Sequence, residues 1–176
     1  MPPPTPKKWH SEIGQDAFAY DFCGQRNMGT FLDLGSWHPW ECNNSYSLEQ
    51  LGWRGLLIDQ DAAYERVCQM ERKSPILISP AEAVDWKNVL PVYGFNSVID
   101  YLSLDVEGQE LVVLKNLAKS GFEFRAITCE HNAHSHGAGP RNAQREFLLS
   151  QGYTLTHPDK TTGTGLIFED WWTKKI

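Results

Sequence analysis

The chain is 176 residues long, with 41% hydrophobic and 22% charged residues, ordinary globular usage that excludes a largely disordered or fibrous chain. Sixteen Lys and Arg against 22 Asp and Glu leave a net charge of −6, so clustered positive charge for gripping phosphate backbones is missing and no nucleic-acid partner is expected. Wholly apolar runs such as Leu111–Leu114 are far too short to cross a bilayer, which excludes membrane insertion.

The opening MPPPTPKKWH has prolines and lysines where a secretory signal would need an apolar core. Residues 1–9 read as a flexible Pro-rich tail, and 10–176 as one domain in a cytoplasmic protein. Ser11 is the expected cap of a helix carrying Ile13, Ala17, Phe18 and Phe22, ended by Gly24. Thr30 to Leu34 reads as a short buried strand stopped by Gly35. Asn43 or Asn44 can cap a helix with Tyr46, Leu48 and Leu51, closed by Gly52. A second strand covers 55–58. Asp61 caps a helix to about Glu71, with Ala62, Ala63, Val67 and Met70 available for burial. Pro75 to Ser79 is a third strand, and a short helix lies near Trp86–Leu90.

Ile99 to Val106 is the clearest strand. The next helix places Leu111, Leu114, Leu117 and Ala118 on one face, and Gly121 ends it. Phe124 to Cys129 is another strand, Pro140 to Gln151 a helix. Segments 153–156 and 165–168 read as a closing hairpin. None of the four cysteines, Cys23, Cys42, Cys68 and Cys129, forms a C-x-x-C pair. Cys68 and Cys129 fall in apolar-periodic segments and are expected in the core of a reduced protein. Strands alternating with helices imply right-handed crossovers, hence a mostly parallel α/β sheet with helices on both faces and a C-terminal antiparallel hairpin.

In such sheets ligands lie beyond the carboxyl ends of the strands. Those ends are polar here: Asp33-Leu34-Gly35, Asp59, Ser79-Pro80, Asp105-Val106-Glu107-Gly108 and Glu130-His131-Asn132. Asp59 follows the second strand, where a carboxylate can accept both hydroxyls of a ribose. Gln60 and Ser79 belong to the same expected wall. The first loop, Gly35-Ser36-Trp37-His38-Pro39-Trp40-Glu41, lacks the G-x-G-x-x-G that brings backbone N–H groups to a pyrophosphate. Pro39 also removes a donor. This points away from NAD, FAD and ATP and toward a phosphate-free adenosine ligand, S-adenosylmethionine. Asp33 can pair with its ammonium, and Asn44, Ser45 and nearby backbone N–H groups with its carboxylate. Trp37, His38 and Trp40 form either a packing cluster or a lid.

The segments Phe31-Leu32-Asp33-Leu34-Gly35, Asn44-Ser45-Tyr46, Leu51-Gly52-Trp53-Arg54-Gly55, Ile58-Asp59 and Asp105-Val106-Glu107-Gly108-Gln109-Glu110-Leu111 resemble the FkbM-type family of S-adenosylmethionine-dependent methyltransferases. Gly14-Gln15-Asp16 and Cys129-Glu130-His131-Asn132 fit the same pattern, over most of residues 11–132. Ser36-Trp37-His38-Pro39 departs from the family's usual first loop, which carries a second glycine. The resemblance implies a Rossmann-like class I methyltransferase fold, S-adenosylmethionine as donor, Gln15 in the cofactor pocket, and a hydroxyl acceptor on a small molecule or glycan.

Transfer to a hydroxyl needs positioning and a proton acceptor. His131 is the first candidate base, with Asp105 and Glu130 as alternatives. Asp105, Glu130 and Asn132 make an oxygen-rich set that would suit a hard divalent cation, but these acids can equally serve helix N-termini and no metal is assigned. The acceptor pocket is expected from 81–98 and 133–141, with room for a neighbouring subunit in a homo-oligomer. Two other readings use the same residues: an S-adenosylmethionine-binding module without transfer, and a metal-dependent hydrolase on Asp105, Glu107, Glu130 and His131.

Overall fold

The computed structural model describes residue 6 and residues 8–176. Seven strands share one sheet: β1 (Thr30–Leu34), β2 (Arg54–Asp59), β3 (Ile76–Ile78), β4 (Val98–Leu104), β5 (Glu123–Glu130), β6 (Thr154–Thr161) and β7 (Ile167–Thr173). Their order is β3-β2-β1-β4-β5-β7-β6. The first five run parallel, and β7 lies antiparallel between β5 and β6. The helices are α1 (Gln15–Phe22), α2 (Tyr46–Gln50), α3 (Glu65–Glu71), α4 (Trp86–Val92), α5 (Glu110–Lys119), α6 (Ala133–His136) and α7 (Ala138–Ser150). This is the Rossmann-like class I methyltransferase arrangement. The strand order turns outward in both directions from the β1–β4 pair, which makes that pair's carboxyl end the switch point where a crevice opens.

The strands alternate because both faces are buried. Leu32, Leu34, Leu56 and Ile58 join Trp86 and Leu90 of α4, Val113, Leu114 and Leu117 of α5 and Leu148 of α7 in one core. Phe31, Leu57 and Tyr101 point the other way, to Ala19 and Tyr20 of α1, Leu48 of α2 and Cys68 of α3. Asp33, Ser103, Thr128, Glu130 and Glu169 follow in the same alternation as this second set. They make a buried polar layer at the carboxyl end of the sheet.

Several boundaries move from their sequence expectation. Ser11 does not cap α1; Gly14 does, and Ser11 Oγ accepts the Gly14 N–H at 3.1 Å. Asp61 caps a 3-10 turn over Ala62–Tyr64, and α3 starts only at Glu65, leaving Met70 72% exposed. The inner face of α5 is Glu110, Val113, Leu114 and Leu117 rather than Leu111 and Ala118. β4 stops at Leu104, so Asp105 and Val106 belong to a loop. The hairpin is longer than predicted and takes Trp171 and Trp172 into β7. Of the predicted tail, residues 1–5 and 7 lie outside the described residues. Trp9 stacks 5.8 Å from Tyr20, and the His10 N–H reaches Asp16 Oδ2 at 2.8 Å. All four cysteines are free, and Cys68 and Cys129 are buried. No helix among the described residues is long and apolar enough to cross a membrane.

Candidate active site

A cleft of about 800 Å³ opens at the carboxyl ends of β1, β2, β3 and β4. Gly35 makes it possible. Its φ is +78°, and a Cβ there would lie 1.6 Å from the Asp105 carbonyl oxygen, so only glycine lets β1 turn this close to the end of β4. Gly35 and Ser36 both donate backbone N–H to Ile58 O, at 2.9 and 3.1 Å.

Asp33, Gly35, Ser36, Asn44, Asp59, Gln60, Ser79 and Asp105 line this cleft together. Asp59 Oδ2 accepts the Trp37 N–H at 2.8 Å, and Oδ1 accepts the Asp61 N–H at 2.9 Å. Each oxygen keeps a lone-pair site for a further donor. The same bond fixes Trp37, whose backbone sits at φ +46°. The Trp37 ring packs edge-on against Tyr64, and Trp40 against His38. Both indoles remain half exposed and leave the cleft open.

Asp33 is 2% exposed. Its Oδ2 accepts Ser45 Oγ at 2.5 Å and Asn43 Nδ2 at 3.3 Å. Burial pushes its carboxyl up, against the Ser45 hydrogen bond and the Arg72 guanidinium that hold it down. Arg72 was not legible as a site residue. It donates to Pro39 O at 3.0 Å, Asn43 Oδ1 at 3.2 Å and Ser45 Oγ at 2.9 Å, and pairs with Glu49 at 3.3 Å. Nothing in one arginine at a helix end signals that it clamps a loop about thirty residues earlier in the chain.

The loop after β4 is held by Glu110, whose Oε1 accepts the N–H of Val106 at 3.2 Å and of Gly108 at 2.8 Å. Glu107, at φ +54°, is exposed on the rim. Asp105 and Glu130 are hydrogen-bonded through their carboxyl groups, which requires a shared proton. Burial raises both, and the hydrogen bond between them holds Asp105 down while it pushes Glu130 further up.

Other predicted residues lie elsewhere. Ser45 is wholly buried between Asp33 and Arg72, off the cleft wall, so it orients Asp33 and is not placed to hold a carboxylate. Gln15 gives its side chain to the Ile13 N–H and to Glu169. His131 is 2% exposed and does not line the cleft. Its Nδ1 accepts the Ala133 N–H at 3.2 Å, while its Nε2 has no hydrogen-bond partner and lies 3.6 Å from Asp170, which places the ring's free nitrogen toward β7 and away from the cleft. Asn132 starts α6 in the left-handed conformation and is not on the wall. The predicted acceptor segments contribute only Ala81 and Glu82. The wall is completed by Glu12, Cys42, Asn43, Val106, Glu107 and Gln109. The motif around Asp105 could have signalled Glu107; nothing signalled Glu12.

The residues do not fit a metal. Among the described residues one group of three metal-capable side chains converges, His131, Asp159 and Asp170. Arg145 already bonds Asp170 at 2.7 and 2.8 Å and Asp159 at 2.8 Å, and Arg141 bonds Asp159 at 2.7 Å. His131 Nδ1 accepts a backbone N–H, which puts the ring's own N–H on Nε2, the atom a metal would need bare. Asp105 lines the cleft and Asn132 does not.

Glu169, fully buried beside Gln15 and Trp171, is pushed up to about 8 by burial. A carboxyl raised in the folded state holds a proton that the unfolded chain has lost. Its stabilising contribution is full below about pH 4.3 and disappears as pH rises through the folded value. Asp170 has the opposite sign, because despite burial Arg145 and His131 hold it low, but its window lies below about pH 4. Unfolding free energy from urea titrations should therefore fall steadily from about pH 5 to 9. Glu169→Gln should flatten that slope up to about pH 8; an unchanged slope below pH 8 would show that Glu169 ionises normally.

No family model and no curated protein matches the sequence. Solved structures do match in fold. A TehB-like SAM-dependent methyltransferase from Corynebacterium glutamicum is 14% identical with a TM-score of 0.58, over 92% of this chain and 88% of that one. A Klebsiella pneumoniae protein assigned as an O-methyltransferase is 13% identical, TM-score 0.64, over 98% and 84%. A Clostridium thermocellum protein assigned as an rRNA methylase is 11% identical, TM-score 0.63, over 96% and 98%. At these identities the chain shares the fold of S-adenosylmethionine-dependent methyltransferases, a fold whose members bear the names of quite different acceptors.

Proposed function

We propose that this protein transfers a methyl group from S-adenosylmethionine to a hydroxyl of a small molecule or glycan, as a member of the FkbM-type family. The observation that carries the reading is the charge of the cleft. Glu12, Asp33, Asp59, Glu82, Asp105 and Glu107 line it, with no Lys, Arg or His among the described residues. Nucleotides bound through phosphates would be repelled. S-adenosylmethionine, whose sulfonium and ammonium outweigh its one carboxylate, is complementary to such a wall.

Asp59 takes the ribose hydroxyls with its free lone pairs, and Gln60 and Ser79 flank the adenosine. Asp33 faces the ammonium, its charge supported by Ser45, Asn43 and Arg72. Asn44 and Ser36 retain buried oxygens without protein partners on the same wall. When bound, S-adenosylmethionine supplies a methyl group made electrophilic by the positive sulfur. The protein's own part would be to position and orient the acceptor hydroxyl against that methyl group from the β4 side of the cleft. Asp105, whose carboxylate accepts the hydrogen bond of the proton-bearing Glu130, would receive the hydroxyl proton. A base so placed contributes about 10²–10⁴-fold.

Titration calorimetry tests the reading. S-adenosylmethionine should bind in the micromolar range, and ATP and NAD should not bind. ATP or NAD binding without S-adenosylmethionine binding would overturn it. Binding without turnover over a broad acceptor panel would reduce the protein to a binding module.

A further inference from the structure

We propose that the acceptor is a hydroxylated amine of the amino-sugar or amino-alcohol class, its ammonium held on the β4 side of the cleft with a hydroxyl facing Asp105; this rests on the methyl-transfer reading. Asp59 ends β2, so a cofactor anchored there runs across β1 toward β4. The wall beyond is Asn44, Asp105, Glu107 and Gln109, joined by Glu12 from the segment leading into α1, which packs on β5. A cavity of about 800 Å³ lies high in the usual range of about 300–1,000 Å³ for one small-molecule site, which leaves space for two ligands side by side.

The side-chain oxygen left without a partner at this end of the wall only accepts. Asn44 gives Nδ2 to Ser103 Oγ at 3.0 Å, and the Ser103 hydroxyl is committed to Asp33. Asn44 Oδ1 is therefore the atom left buried with no partner. Glu12 and Glu107 are exposed carboxylates on the rim. Groups that only accept are satisfied by groups that donate, and an ammonium carries three N–H donors and no lone pair. A phosphate or carboxylate presents the reverse. A neutral polyol would fill the hydrogen bonds but leave the two rim charges uncompensated.

Labelled methyl transfer from S-adenosylmethionine is measured on two matched sets: glucosamine, glucose and glucose 6-phosphate; and ethanolamine, ethylene glycol and glycolate. An amine member should be favoured by about tenfold or more in kcat/KM over its neutral counterpart, with the anionic member inert. Glu12→Gln combined with Glu107→Gln should erase most of that preference through KM, read as the ratio of amine to neutral acceptor at saturating S-adenosylmethionine, so that any change in cofactor affinity is common to both. Preference for a neutral or anionic member, or no amine methylated by protein that binds S-adenosylmethionine, overturns this proposal alone. Protein that fails to bind S-adenosylmethionine overturns the methyl-transfer reading, and this proposal with it.

Discussion

Arg72→Met should lower stability by about 3–5 kcal/mol, the cost of leaving one member of a buried ion pair unmatched. Arg72 and Glu49 have side-chain exposures of 0% and 1%. Although burial works against it, Arg72 and the N–H groups of Ser74 and Lys73 hold the Glu49 carboxyl below its usual value. Removing the guanidinium strands that charge and frees Pro39 O, Asn43 and Ser45 at once. Set against a total of about 5–15 kcal/mol, this is a large fraction, and a melting curve should move down by roughly 10 °C. Arg72→Lys should fall between, since it keeps the charge and loses the fork. Methionine at both 72 and 49 should recover much of the loss, because no buried charge then remains. Equal melting temperatures for Arg72→Met and wild type would mean that water reaches this pair.

Asp59→Ala should abolish measurable S-adenosylmethionine binding. Two hydrogen bonds to a charged acceptor are worth about 1.5–3 kcal/mol each, so their loss weakens binding by about 10²–10⁴-fold. The substitution also releases the Trp37 and Asp61 N–H groups, loosening the loop that carries Ser36. Asp59→Asn separates the two effects, because the amide keeps one acceptor oxygen and turns the other position into a donor. It should retain the fold by circular dichroism and still lose most of the affinity in calorimetry. Unchanged affinity in Asp59→Asn would place the ribose elsewhere.

The alternation of apolar strands and periodic helices made the layered α/β arrangement readable, because each short strand between two covered faces must be apolar along its length. The strand-end rule then singled out Asp33, Asp59 and Asp105 before any geometry was known, since each stands directly after an apolar run. Gly35 belongs to the same class, as the residue ending the first strand. The local sequence also marked Cys68 and Cys129 as core residues.

Tertiary structure alone decided the rest. Whether His131 meets the cleft or Asp170 depends on β7 inserting antiparallel between β5 and β6, a pairing across 40 residues that no local pattern encodes. Glu12 joins the wall because α1 packs back onto β5, and Ser45 leaves it because Arg72 arrives from the far end of α3. A strand end reports only its own chemistry. Which side chains share a dielectric, a proton or a ligand is set by long-range packing, and the charge of the cleft, on which the functional reading rests, is a sum over five segments distant in sequence.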